Sequence, residues 1–517
     1  MARKVFLIGI GGTGMRCLES FVHTCAIGMY DETEVEMLAL DTDSGNGNFK
    51  RLRNLISSYN ALNGGNVKKD TFFSAKITYY EFSPGYTDGH SFDSISNYSS
   101  AASHRSESPT ADLVDLFMDP EVRNMNLKHG YRAQTQMGSV LMYHAIVKAA
   151  YEAKNGIKSP ARNDLREFLA ALNSSALKQP VFVFGSVFGG TGASSIPIIP
   201  LAFKKATEIL GVGKNVIGDN HFGTIVLTNY FNFMVDQQNS REVVAKSENF
   251  AINSQAALMF YNEDQTVNAT YKRMYLLGRS SSEDRKLSVN GHKGVTGGEA
   301  QENPADYIEL LAAFAAYDFF KEADKGQDAF KDDSDRFFCI SHDYGTSKLD
   351  FPLFGQSDSE VLKKKMGVAV AASLLDVAYD FFYNVAKPSN IFVNVDVDSE
   401  QFKNLKKYWG FFNLAVNPDS TLSYGWLPQM YLGRGGEGIF FKDLMYQCTD
   451  LKSLRKFQFN KELYAGDNPP QFSVPFLKDR FDVAKSTFND VKPELKTTMD
   501  DLLARTYATL LKLYFNE

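Results

Sequence analysis

Short, mainly apolar runs recur along the first part of the chain, each closed by a glycine or polar cluster and followed by a segment of helical period. Val5-Phe-Leu-Ile8 runs into Gly9-Ile-Gly-Gly-Thr-Gly14. Val35–Leu40 ends in Asp41-Thr42-Asp43, and Val181–Phe188 ends in Gly189-Gly-Thr-Gly192. Runs this short and this largely apolar predict strands buried on both faces, as in a parallel sheet. Further strands are expected at 75–82, 222–227 and 273–277. Helices are expected over Met15–Tyr30, 49–57, 111–117, 138–154, 163–172 and 237–261. Residues 83–108, rich in Ser, Gly and Asp, read as a long loop. The helix after Gly192 carries Pro197 and Pro200 and should be short or bent. Alternation of strand and helix predicts an α/β architecture with a mostly parallel sheet.

Beyond the polar stretch 278–302 the pattern changes. Asn303-Pro304 opens a helix to Ala323 whose apolar positions wrap nearly all round, the mark of an element inside a protein. A charged stretch, 321–336, follows. A long helix is expected over 357–383, a strand at 391–396, a helix at 399–408, and mainly helical structure over 481–514 interrupted by Pro493. Gly433–Gly438 is rich in turns without a helix behind it. The division expected is a nucleotide-binding domain over 1–302, a central helix over 303–323, a second α/β domain over 324–470 and a C-terminal helical element over 471–517.

Composition narrows the function classes. A net charge of -6 without a lysine- or arginine-rich stretch argues against nucleic-acid binding, so the 41 Phe and 25 Tyr are expected in aromatic cores. Cys17, Cys25, Cys339 and Cys448 form no CxxC pair or cluster with histidine, which fits a reducing, cytoplasmic setting without disulfides or structural zinc. No signal peptide is recognisable and no apolar run is long enough to span a membrane.

The candidate chemistry lies in the glycine turns. A glycine-rich turn between a buried strand and a helix lets backbone N–H groups close on a phosphate. Gly9, Gly11 and Gly14 satisfy the spacing of a dinucleotide-binding fingerprint, with Asp41 as a candidate acid further on, so an NAD-dependent oxidoreductase remains open on this turn alone. The second turn has neither that spacing nor the Gly-Lys-[ST] of a P-loop. Phosphate binding there relies on backbone N–H groups and the hydroxyls of Thr191, Ser194 or Ser195.

Taken together, these residues resemble the tubulin/FtsZ superfamily, most closely its divergent bacterial tubulin-like members. Val5–Gly14 matches the strand leading into G-x-G-G-x-G, Asp41-Thr42-Asp43 stands where Asn-Thr-Asp ends the second strand, and Gly189–Gly192 keeps the core of the signature G-G-G-T-G-[ST]-G. Phe188 and Ser194 replace its outer glycines. The resemblance covers residues 1–320 and implies a GTP/GDP site with Mg²⁺, built from Gly11, Gly12, Thr13, Asp43, Gly189, Gly190, Thr191 and Gly192. Gly130–Gly138 is similar to the third nucleotide loop, with Arg132, Gln134 or Gln136 as its polar contacts. Asn303 and Tyr307 stand where the core helix meets the base, and Asn229 and Asn232 where the ribose is held. An adaptor protein is compatible with this frame.

The same resemblance implies head-to-tail self-association, with acids after the core helix reaching a neighbour's terminal phosphate. The family's N-x-D-x-x-[DE] pattern has no clear match there; Asn303-Pro-Ala-Asp306-Tyr-Ile-Glu309 is similar but sits at the helix start. Among the acids after the core helix (Asp332, Asp333, Asp335, Asp343, Asp350 and Asp358), Asp343 and Asp350 are the candidate catalytic residues. A GTPase activated by self-association is the leading expectation, and a nucleotide-binding structural or regulatory protein without efficient hydrolysis is the alternative.

Overall fold

A computed structural model describes residues 3–96, 114, 116–157, 160–175, 177–212, 220–231, 249–279, 288–289, 292–293, 298, 305–326, 329–330, 337–342, 357–358, 360–362, 364–369, 372–373, 399–412, 425–427 and 498–515. Its centre is a seven-stranded, all-parallel sheet: β1 (Arg3–Ile10), β2 (Thr33–Leu40), β3 (Lys76–Phe82), β4 (Pro180–Ser186), β5 (His221–Leu227), β6 (Tyr271–Arg279) and β7 (Phe337–His342). Their spatial order is β3-β2-β1-β4-β5-β6-β7. The chain starts in the middle, winds outward to β3, then returns to the other side of β1. The order therefore reverses between β1 and β4, where open α/β sheets leave a crevice at the carboxyl ends of their strands.

Both faces of the sheet are covered, which explains the largely apolar runs. Val5 and Leu7 enter one core, and Phe6, Ile8 and Ile10 the other. The first core packs under α1 (Gly11–Ala26), α2 (Gly47–Asn63) and the central helix. The second packs under α3 (Thr135–Lys154), α4 (Pro160–Leu172) and α6 (Ile199–Leu210). Between β4 and α6 lies the six-residue helix α5 (Gly190–Ser195), and between β5 and β6 lies α7 (Phe250–Glu263).

The expected helix over 15–30 begins earlier, directly at Gly11, and ends at Ala26. The central helix, α8 (Tyr307–Ala323), begins later than Asn303-Pro304 suggests, because Asp306 is its N-cap: its side chain accepts from Ile308 N at 2.9 Å while Glu309 reaches back to Asp306 N at 2.9 Å. All but a few positions of α8 are buried. Glu309 meets Tyr230 just past the end of β5, whereas Asp324, just past the end of α8, meets Arg3 at the start of β1. The helix therefore runs antiparallel to the strands, with its N-terminus at the crevice edge.

β7 lies within 324–470, the span assigned from the sequence to a second domain, yet it pairs with β6, so the first sheet continues past the central helix. Two described helices from the later chain, α9 (Glu400–Phe412) and α10 (Thr498–Phe515), pack on the α1–α2 side. Phe402, Tyr408, Trp409, Leu503 and Tyr507 enter the same core as Phe21 and Phe73. The strand expected at 391–396 and the Gly433–Gly438 segment lie outside the described residues.

Candidate functional site

The two glycine turns meet. β1 and β4 are parallel neighbours, so both turns emerge at the same sheet edge. At Gly11 the backbone has φ +67°, a left-handed conformation that glycine adopts without steric cost. A Cβ placed on Gly11 would sit 3.5 Å from Thr191 Cβ. Gly14 is packed tighter: its Cβ would lie 2.7 Å from the Gly9 carbonyl carbon and 2.8 Å from the Phe184 carbonyl oxygen. This glycine is thus required for α1 to lie against β4.

Two further segments close on the same place. Thr42, after β2, has its hydroxyl 3.5 Å from that of Thr191. The loop before α3 folds over Gly190, where a Cβ would stand 2.6 Å from Ala133 N. In that loop Arg132 (φ +45°) and Ala133 (φ +67°) are both left-handed, and Gln134 N donates to Tyr131 O at 2.8 Å. Consecutive positive φ values with this hydrogen bond make a type I′ turn, normally built from Asn and Gly. Its occurrence at Arg-Ala is backbone strain held by the surrounding packing.

Gly12, Thr13, Arg132, Gln134, Gly189, Gly190 and Thr191 are each half-buried, whereas Gly11, Asp43 and Gly192 are buried. The crevice therefore presents backbone, the hydroxyls of Thr13 and Thr191, and the side chains of Arg132 and Gln134. Ser194 and Ser195, considered from the sequence as phosphate donors, are fully buried; Ser194 Oγ donates to Thr191 O at 3.0 Å, which leaves Thr191 as the half-exposed hydroxyl of that turn.

The second turn is held from below by an exchange of donors. Pro197 and Pro200 cannot donate to the carbonyls of Ala193 and Ile196, four residues earlier in each case. Tyr261 Oη donates to Ala193 O at 2.7 Å and Tyr271 Oη to Ile196 O at 2.6 Å. Two buried tyrosines thus supply the donors that the prolines lack.

Asp41 and Asp43 organise the turn after β2. Asp41 accepts from Thr42 N at 2.7 Å and from Asn46 Nδ2 at 2.9 Å, and Asn46 in turn caps α2. Asp43 accepts from Gly45 N at 3.0 Å and from Gly298 N at 2.6 Å. Burial, reinforced by the charge of Asp43, pushes the Asp41 carboxyl up to about 7 despite its donors. Both oxygens of Asp41 serve its own turn, which weakens its candidacy as a ribose-binding acid of the dinucleotide type.

Beneath the first turn lies a buried charge network. Arg16 pairs with Glu19, Arg51 Nη2 lies 2.7 Å from Glu19, and Arg16 Nη2 lies 3.5 Å from Glu309. Burial alone would raise the Glu19 carboxyl, but Arg16 and Arg51 outweigh it and bring it below its ordinary value. Burial alone would lower Arg16, yet Glu19 and Glu309 hold it above its usual value. Sequence reasoning passed over this network, although Arg16 and Glu19 stand out as charges inside an otherwise apolar helix.

The other sequence candidates are distributed as follows. Tyr307 is fully buried in the first core at the start of α8, and Asn229 is half-buried just past β5. Asp306 and Glu309, part of the acid pattern noted at the helix start, are buried and form its capping box. Asp358 pairs with Lys321 at 2.6 Å. Asn232, Asn303, Asp332, Asp333, Asp335, Asp343 and Asp350 lie outside the described residues. Among the described residues no group of three or more His, Cys, Asp and Glu could hold a metal ion, and no helix is long and apolar enough to cross a membrane.

No family model matches the chain, and no curated protein is significantly similar to it.

Proposed function

We propose that the crevice between β1 and β4 binds the phosphates of a guanine nucleotide, and that the protein is a tubulin/FtsZ-like, self-associating GTPase. The observation that carries this reading is the meeting of the two glycine turns with Thr42 and the Arg132 loop at one sheet edge. A polyphosphate there receives backbone N–H groups from the first turn of α1, whose dipole favours negative charge, and hydroxyls from Thr13 and Thr191. Arg132 is the cation on these loops. Mg²⁺ takes most of its ligands from the phosphates and water, so it needs no cluster of protein carboxylates. The central helix with its N-terminus at the crevice edge fits the core helix of that superfamily. The base, and head-to-tail association into an open filament, rest on the sequence resemblance.

A second reading, nucleotide binding without efficient hydrolysis, is favoured by one observation. The acid pair Asp306 and Glu309 is consumed in a buried cap and cannot reach a neighbouring subunit.

Mass identification of nucleotide released from the purified, denatured protein tests the site. GDP or GTP supports the reading; NAD overturns it in favour of a dinucleotide enzyme. Phosphate release measured across protein concentrations separates the two remaining readings. Turnover that rises more than linearly, together with GTP-dependent light scattering, supports the assembling GTPase, and absent turnover supports the binding protein.

A further inference from the structure

Glu309 joins three elements that border the crevice. Its Oε1 accepts from Tyr230 Oη at 2.9 Å, and its Oε2 accepts from Asp306 N at 2.9 Å and faces Arg16 Nη2 at 3.5 Å. Tyr230 follows Asn229 in the loop after β5. Asp306 caps the central helix. Arg16 lies in α1, two residues beyond the Gly14 that closes the first turn. Tyr230 also packs edge-on against Phe188, the residue before Gly189, with ring centroids 6.2 Å apart. A single carboxylate, 1% exposed, therefore ties the start of the central helix and the loop after β5 to the helix of the phosphate turn.

Stability alone does not account for this arrangement. Arg16, Glu19, Arg51 and Glu309 are all buried or nearly so, and a buried ion network is on the whole no more stabilising than apolar side chains of the same volume. Such a network does fix geometry, because a charge moved away from its partner is left uncompensated. The elements it fixes differ in character. The glycine turns hold themselves through backbone contacts, at Gly14 and Gly190. The start of α8 and the loop after β5 meet through the side chains of Glu309 and Tyr230.

We infer that Glu309, acting through Tyr230 and the cap of the central helix, is a positioning residue for the nucleoside half of the ligand. It sets where the base and ribose lie relative to phosphates held by the glycine turns. This inference rests on the nucleotide-site reading above.

The test is equilibrium binding to the full chain by calorimetry, with GTP and inorganic tripolyphosphate as the two ligands. Tyr230→Phe removes one hydroxyl and keeps the ring packing; Glu309→Gln keeps the shape and removes the charge. The expected result is that each variant weakens GTP about tenfold or more while tripolyphosphate binding stays within about twofold. A merely structural role moves both ligands together. Parallel losses, or unchanged GTP affinity in the folded variants, overturn the inference and leave the phosphate site standing. Failure of the unaltered protein to bind either ligand overturns the site reading, and this inference with it. Should Glu309→Gln not fold, Tyr230→Phe alone decides, because it changes no charge.

Discussion

The two tyrosines beneath the second glycine turn give a quantitative test of how that turn is held. Tyr261 and Tyr271 are 2% and 1% exposed, and their hydroxyls donate to the Ala193 and Ile196 carbonyls that Pro197 and Pro200 leave without helical donors. Phenylalanine at either position keeps the ring and strands a buried carbonyl, a loss of about 1–3 kcal/mol per site. The carbonyls lie three residues apart in one bend, so the double variant need not show the simple sum. Urea unfolding gives the magnitude, with Tyr151→Phe as a control because Tyr151 is 61% exposed. Pro197→Ala returns an N–H four residues after Ala193. Combined with Tyr261→Phe, it should bring the loss below about 1 kcal/mol, whereas it should leave Tyr271→Phe unrescued. The reasoning fails if Tyr261→Phe costs no more than the exposed control, or if Pro197→Ala rescues both tyrosine variants equally.

Three other outcomes are expected. Gly14→Ala forces a methyl against the backbone of Gly9 and Phe184, which no side-chain rotation relieves; it should cost about 3 kcal/mol or more, read as lost soluble yield or a lowered thermal midpoint. Asp41 has its folded value raised from 3.8 to about 7, so its contribution to stability is present below pH 3.8 and lost as pH rises through 7; Asp41→Asn should flatten the stability profile across that window in urea titrations. His23 is shifted the other way: burial holds it neutral, with its folded value lowered from 6.5 to about 3. Its contribution is present above pH 6.5 and lost as pH falls toward 3. The ring lies 4.6 Å from that of Trp426, and Trp409 stands in the same cluster, so tryptophan fluorescence should report the acid transition and His23→Leu should shift it to lower pH.

The elements around the crevice were legible in the sequence because each strand is buried on both faces and each turn carries its own glycines. Val5–Ile8 and Val181–Phe184 could hardly be anything else. That the two turns touch was not legible from local pattern. It depends on β4 lying beside β1 rather than beside β3, a choice made by the packing of the whole sheet. Pro197 and Pro200 announced a bend, but the residues that satisfy its carbonyls arrive with α7 and β6, and nothing near the prolines records them. Asp306 and Glu309 show the opposite case. Their spacing before an apolar run is a capping-box signal as well as a fragment of a catalytic pattern, and the cap prevails because the acids face inward. Arg16 and Glu19 are charges in a largely apolar helix, and their partners on α2 and α8 could not be paired from spacing alone.

The aromatic cluster over α1 bears on how the protein emerges from the ribosome. His23 shares a 2.9 Å hydrogen bond with Tyr408, 385 residues later, and Ser20 accepts from Trp426, 406 residues later. At ordinary rates of synthesis the outer face of α1 waits roughly 20–80 s for these partners. The sheet and its glycine turns can assemble during that interval, but the helix that carries the first turn remains uncovered on one side, its apolar residues open to other nascent chains. A chaperone that shields this face co-translationally, or slowed synthesis of the later segment, would therefore affect the yield of native protein without touching the crevice itself.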